Sequence, residues 1–293
     1  MNWITKYFLI CIFLSGTCLT KGESKGSIFR AADSLMYAGQ FRDARIELEK
    51  IAFFNSDQTI VARALIKKAE CFKNEKCFQK AYNTLNRIFL PLQPDSLLFR
   101  IKYNKALDYY LNKEPGRAVF ELQSLDRFVD KEKAGRVRFL SALSYSDLKE
   151  WEKSKNEALR FIALSCNNPE KSEMFTMKIN KLFDPRNIPQ TLSEKKAKNI
   201  STFIPGGGQI YAGKIGEGSF CFVLHGALLY FGVTQFLDNF YFTGYTAGFG
   251  LLQRLYAGNL QRSQDLVVQV NKQRYDRFFT DYFTLLNSVS EYK

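Results

Sequence analysis

Apolar residues recur at helical spacing through residues 28–165, and one arrangement of them returns four times. AGQFRDARIELEKI (38–51), NEKCFQKAYNTLNRI (74–88), NKEPGRAVFELQSL (112–125) and LKEWEKSKNEALRF (148–161) align with one another. A small residue follows each turn, at Ala44, Ala81, Ala118 and Ser154, with spacings of 37, 37 and 36. Three residues earlier stand Phe41, Phe78, Pro115 and Trp151; four later stand Leu48, Leu85, Leu122 and Ala158; seven later stand Ile51, Ile88, Leu125 and Phe161. These offsets fall along one helix face, with the small residue where a second helix must come close. Ahead of each turn runs another segment with its own apolar stripe, for example Ala64, Leu65, Ala69 and Phe72. The pattern predicts helix–turn–helix units that bury their apolar faces only when stacked in register. The expected fold class is all-α: a helical-hairpin repeat solenoid, then a membrane helical hairpin, then a C-terminal amphipathic helix.

The repeat pattern stops after Cys166. Residues 167–199 carry Pro169, Pro185 and Pro189 and close on Lys195, Lys196 and Lys198, which predicts a linker with one short helix near Met174–Phe183. Residues 200–260 change character. Gly218–Phe236 holds 19 residues with no Asp, Glu, Lys or Arg, and Asn239–Gln253 is again uncharged up to Arg254. Runs of this kind suit bilayer crossing, and Gly244 and Gly248 have the close-approach spacing used between membrane helices. Residues 261–293 predict an amphipathic helix with Leu266, Val270, Tyr275, Phe278, Phe279 and Tyr282 on its apolar face. It is expected to lie on the membrane or to pack back onto the repeats. At the other end, Lys6, the run Tyr7–Leu14 and the small and polar residues of SGTCLTKG have the layout of a secretory signal over residues 1–20. Thr17 precedes Cys18 where a lipid-attachment site wants Gly or Ala, so lipidation at Cys18 is a minor alternative.

Two resemblances follow from these residues. The recurring hairpin over residues 28–165 resembles tetratricopeptide repeats, whose usual period is about 34 residues. It departs from them in lacking most of the first-helix Gly and the closing Pro, although Pro91 and Pro94 mark one turn between repeats. That resemblance implies a concave surface for protein segments and no chemical activity. STFIPGGGQIYAGKIGEG (201–218) resembles the PG-x-G-Q-x-Y-x-G motif that opens small two-span bacterial membrane proteins, some of which carry a repeat domain in front. The matching residues are Pro205, Gly206, Gly208, Gln209, Tyr211 and Gly213. Tyr256, Gly258 and Asn259, with Asn271 beyond them, resemble the closing element of the repeat-bearing group. This second resemblance brings no defined activity with it. Pro205 and the glycines would bend the chain at the membrane surface, with Tyr211 anchored among headgroups.

The net charge is +13, and residues 21–198 hold 34 Lys/Arg against 23 Asp/Glu while residues 199–293 hold 7 against 6, so the first part carries it. A basic surface favours an acidic protein face, anionic lipid or nucleic acid, and a secretory signal disfavours the last. The one histidine, His225, leaves no His-based catalysis or multi-His metal site to build. Cys71, Cys77, Cys166 and Cys221 match no zinc pattern; Cys71 and Cys77 either pair across a helix turn or serve as small packing residues. Gly208–Lys214 has phosphate-loop spacing, but Ile215 stands where Ser or Thr would hold magnesium. His225 and Arg254 are costly in a bilayer. They could pair with Glu217 or Asp238 in a proton path. The favoured alternative has His225 bonded to a neighbouring helix and Arg254 at an interface.

No enzyme, cofactor or metal site is therefore expected. The sequence points to a membrane-anchored scaffold in the bacterial inner membrane that binds acidic protein partners through periplasm-facing repeats. Lys67, Lys102, Asn104 and Lys105, read as exposed on first helices, are the candidate contacts. Lys195, Lys196, Lys198, Arg262, Lys272 and Arg274 flank the spans on that same side, against the positive-inside rule; a signal and a long translocated domain override it. Two alternatives remain open: an envelope-assembly or transport component acting through the membrane hairpin, and a cytoplasm-facing membrane adaptor.

Overall fold

A computed structural model describes residues 28–125 and 130–290. The expected signal over residues 1–20, with Cys18, lies outside the described residues. Among those described, every regular element is a helix and no strand occurs. The chain divides into two compact units, residues 184–282 forming one and the remainder the other.

The first unit is made of helix pairs. They are α1 (Arg30–Tyr37) with α2 (Phe41–Phe54), α3 (Gln58–Asn74) with α4 (Phe78–Leu85), α5 (Asp95–Leu111) with α6 (Pro115–Gln123), and α7 (Lys131–Asp147) with α8 (Trp151–Ser165). Each helix packs on the one before it and the one after it. α9 (Pro169–Leu182) packs on α8. It begins five residues earlier than the sequence implied, with Pro169 in its first turn and the Asn168 side chain accepting from the Lys171 N–H at 3.2 Å.

Each pair is closed by the same three-residue turn. Its middle residue is Gly39, Lys76, Lys113 or Lys149, at φ of 74°, 60°, 64° and 60°. The N–H of that residue reaches the carbonyl three back, as in Lys113 to Tyr110 at 3.0 Å. The next N–H reaches five back, as in Glu114 to Tyr109 at 2.9 Å. This is a Schellman closure, which satisfies the last carbonyls of one helix while turning the chain into the next. The turn recurs with the period of the small residues. Ala44, Ala81, Ala118 and Ser154 are all wholly buried, as are Leu48 and Leu85 four residues later. Ser154 adds a bond from its Oγ to the Ala142 carbonyl at 2.8 Å, which ties α8 to α7.

Most of α5 is buried, with Leu97, Ile101, Ala106 and Leu107 inside and Lys105 and Asp108 inside with them. Lys105 is 7% exposed, so its expected role as an exposed contact does not hold. The Asp108 carboxylate is fully buried, 3.6 Å from the buried Lys73 ammonium, which also donates to Asn104 Oδ1 at 2.7 Å. Burial outweighs that neighbour and pushes the Asp108 carboxyl up to about 7. On the outer surface Glu49 accepts from Arg87 and Lys68 together, and Arg87 above all holds its carboxyl down to about 2. Cys71 and Cys77 are free thiols; Cys71 sits in the core of the first two pairs, and burial raises it to about 11.

Two outcomes are expected. A lysine held at positive φ is strained where glycine is not, so Lys113→Gly should raise stability by about 0.5–1 kcal/mol in denaturant unfolding. Asp108 ionises in the unfolded chain near pH 4 but near pH 7 in the fold. Its contribution is therefore complete below pH 4, declines as pH rises to 7 and is flat above. Asp108→Asn should remove that decline, on the order of 4 kcal/mol from three pH units, when unfolding curves at pH 4.5 and 8 are compared with wild type.

Candidate functional site

The second unit contains α10 (Glu194–Phe203), the short α11 (Gly207–Tyr211), α12 (Ile215–Leu237), and α13 (Leu251–Ser290) as far as Tyr282, which a single turn at Tyr241–Thr243 and a π-helical stretch at Gly244–Gly250 precede. α13 runs without a break through the boundary expected at residue 260, because nothing between Leu251 and Ser290 interrupts its hydrogen bonding. The three-residue turn appears twice more, at Gly213 between α11 and α12 and at Asn239 after α12.

The residues singled out around 205–213 lie together with those around 256–271. Gly206 takes a φ of 88°, and a side chain there would strike the Gly218 carbonyl. Gly208 sits where α10, α11 and α13 meet: a Cβ would lie 2.5 Å from the Ala197 carbonyl and 2.6 Å from Ser263 Cβ. Its N–H donates to Ser201 Oγ at 2.9 Å. Gln209 is fully buried and donates through Nε2 to Asn259 Oδ1, fifty residues away. Tyr256 donates to the Thr202 carbonyl at 2.7 Å. Asn271 pairs with the backbone of Leu192, accepting its N–H at 2.8 Å and donating to its carbonyl at 2.9 Å. Tyr211 accepts from the Ser193 N–H at 3.2 Å and lies under the Lys196 ammonium, 5.4 Å from the ring centre. Pro205 is half-buried and Gly213 occupies a turn with open space around it. Ser201, Gly218 and Ser263 belong to this base as fully as the motif residues. Sequence reasoning passed over them because a buried Ser and an exposed one look alike until a partner is placed beside them.

No protein family, curated protein or solved structure matches the chain. Its chemistry must be read from this geometry alone.

Above the base stands α12, the one helix among the described residues that is long and apolar enough to cross a membrane. Most of its apolar side chains face outward, Phe220, Val223 and Tyr230 each at least two-thirds exposed. Its other side meets the π-helical stretch at bare backbone: a Cβ on Gly248 would sit 2.5 Å from the Gly232 Cα, and one on Gly244 would meet the Phe236 ring. Below Gly232, Pro205, Phe222, Gly226, Leu229, Phe249 and Tyr256 border an apolar groove of 620 Å³. His225 opens onto it. Its Nδ1 is bonded to the Cys221 carbonyl at 2.7 Å, one turn back on its own helix rather than on a neighbouring one as expected. Glu217 is taken up by a two-pronged pair with Arg262 at 2.7 and 3.2 Å, and is not a partner of His225.

The first unit places the other sequence candidates differently. Lys67 is paired with Asp33, Lys102 donates to Ser124 Oγ at 2.9 Å, and Asn104 accepts from Lys73. None is presented as a free outward contact. A second groove of 540 Å³ lies instead along α2 and α3, bordered by Phe53, Phe54, Phe72 and Ile46, by Arg42, Arg45 and Lys50, and by Glu49 with its partner Lys68. Phe53 and Phe54 stand 78% exposed, edge to face at 5.1 Å. Among the described residues no group of three or more His, Cys, Asp and Glu is placed to hold a metal.

The buried amide pair is expected to act as a unit. Gln209→Leu should destabilise the second unit by about 1–3 kcal/mol, since Asn259 is left buried without its donor. Adding Asn259→Leu should recover part of that loss, which a double-mutant cycle from melting curves in detergent would read.

Proposed function

We propose that the chain is a membrane-attached scaffold, held in the bilayer by α12 and the helical stretch that returns from it, with stacked helix pairs that gather partner proteins. The observation that carries this reading is α12 itself: an apolar helix of 23 residues, outward-facing along most of its length. At 1.5 Å per residue it measures ~34 Å, enough for a hydrocarbon layer of ~30 Å. An outward apolar face of this size is unfavourable in water and favourable in lipid. The Gly232–Gly248 approach supports a helical hairpin that enters and leaves on one side, as do the polar bonds gathered at its base. The recurring turn, with the buried small residue five positions after it, supports a tetratricopeptide-like array, and the base built on Gly206, Gly208 and Gln209 supports kinship with the two-span membrane proteins. We place the array in the periplasm, on the inner membrane, as the N-terminal signal implies.

The partner surface that fits best is the groove along α2 and α3. Two exposed phenylalanines beside Arg42, with Arg45 and Lys50 already paired to Glu75 and Glu47, suit a segment with apolar anchors and an acidic residue for Arg42. This places recognition on second-helix residues and away from Lys67, Lys102, Asn104 and Lys105.

Protease treatment of intact, outer-membrane-permeabilised and lysed cells tests the arrangement. Cleavage within residues 28–165 is expected once the outer membrane is opened, with the remainder retained in alkali-washed membranes. Protection until the inner membrane is lysed would put the array in the cytoplasm and end the periplasmic reading. A photo-crosslinking residue at position 54 should give a discrete adduct that Arg42→Glu with Lys50→Glu reduces about tenfold or more.

A further inference from the structure

Arg254 interrupts the apolar helix that returns from α12, and simple anchoring makes no use of it. Its height is set by how the hairpin is built. Gly232 meets Gly248 and Glu217 meets Arg262, so α12 and the returning helix run antiparallel and in step. Arg254, six residues beyond Gly248, therefore stands level with Gly226, six before Gly232 and midway along Ile215–Leu237. His225 and Tyr256, 6.5 Å apart between ring centres, fit that register. The charges at the two ends of the hairpin have headgroups within reach. Lys195, Lys196, Lys198 and Lys214 are exposed at the base, and Asp238 is exposed just past the end of α12. Arg254 has no such outlet. It lies ~15 Å from either edge of a ~30 Å hydrocarbon layer centred on α12, farther than its side chain extends. A charge at that depth is costly unless it is paired.

The chain itself does not answer it. Among the described residues Arg254 forms no ion pair. Glu217 is held by Arg262, and Asp238 and Asp265 stand 12 residues from Gly226 and 11 from Arg254, ~18 and ~16 Å along their helices. Arg254 also lies on the face turned away from α12. Leu252, Gln253 and Tyr256 border the groove, whereas Leu251, Arg254 and Gly258 share an exposed face at spacings of three and four. A Cβ on Gly258 would meet nothing within 4 Å, so another helix can come close there. Charge and depth then define the occupant. Lipid phosphates lie at the edges of the layer, away from its centre. A second copy, related by a twofold axis along the membrane normal, would bring its own Arg254 to the same height, cation against cation. We propose that Arg254 is a docking charge for the transmembrane helix of another membrane protein, one that carries Asp or Glu at the same depth. This rests on the membrane reading of α12, and adds a partner within the bilayer to those gathered on the helix pairs.

The test uses the full chain in phosphatidylcholine vesicles, with a photo-crosslinking residue at position 251, exposed one turn from Arg254. The probe is a biotinylated leucine–alanine helix of about 23 residues with one central Glu. Its controls carry Gln at the centre, or the Glu seven residues nearer one end, ~10 Å away. The central-Glu helix is expected to form the adduct about tenfold more efficiently than either control. Arg254→Gln should abolish that preference, Arg254→Lys should keep most of it, and Arg254→Glu should transfer it to a helix with a central Lys. The charge reversal is its own folding control, since a gain of Lys-helix adduct needs an intact surface. Gly258→Leu crowds the approach without striking the chain's own atoms and should cut the adduct several-fold. Equal adducts from the Glu and Gln helices would overturn the proposal. So would loss of the preference on adding phosphatidylglycerol, which gives Arg254 to lipid phosphate, or an adduct of two chains that displaces the probe. Loss of the wild-type chain from alkali-washed vesicles would remove α12 from the bilayer, and the membrane reading would fall together with the docking charge. A retained chain without the preference overturns the docking charge alone, so the two failures are distinguishable.

Discussion

A helix pair can close in three residues only if one of them takes a left-handed conformation, and this chain meets that condition again and again. The middle residue releases the first helix, the two N–H groups around it satisfy that helix's last carbonyls, and the next helix starts at once. With so little chain between them, the two helices have no choice but to lie against each other. Close packing then requires a small residue on the second helix, which Ala44, Ala81, Ala118 and Ser154 supply with no exposed surface left. Turn and small residue are two sides of one constraint. Longer connections between pairs are handled differently, by side-chain caps such as Asp57 on Thr59 and Asp130 on Lys133.

The second unit applies the same turn to a different end. Its polar groups are concentrated at one end, where Ser201, Gln209 and Asn259 are buried against one another. At its other end the polar groups, Asp238 and Asn239 among them, are exposed. Burying amides is unfavourable unless each finds a partner, and Gly206, Gly208 and Gly218 make this feasible by letting backbone and side-chain donors come within reach. The glycines and the amides therefore depend on each other.

Much of the fold was legible because helical periodicity survives substitution. The all-α class and the periodic burial of small residues are read directly from apolar spacing. The turns were legible by position but not by residue: Lys76, Lys113 and Lys149 stand where glycine or asparagine is usual, and a lysine carries no signal for positive φ. Lys105 was read as solvent-facing because a charged residue on a helix ordinarily is; it lies instead on the buried part of α5, next to Ala106 and Leu107. Arg42, Phe53 and Phe54 drew no notice because the same residues in the other repeats are not exposed aromatic pairs. In the second unit the motif marked both halves of the base, at 205–213 and at 256–271. That Gln209 and Asn259 are bonded partners could not be read from residues fifty positions apart. The unbroken course of α13 was hidden by a change of composition near 260, which altered what surrounds the helix and not its backbone.

The π-helical stretch at Gly244–Gly250 bears on everything that follows it. A π turn closes one residue later than an α turn, so it takes up an extra residue without ending the helix. Each residue of an α-helix advances the helix by about 100°. The stretch therefore sets the angular phase between Gly244 and Gly248, which must face α12, and Asn259, Ser263 and Asn271, which must face the base. A single-residue deletion at 249 or 250 would leave both sets intact in sequence and rotate one against the other, so the phase of this helix is encoded by a count of residues and not by any one side chain.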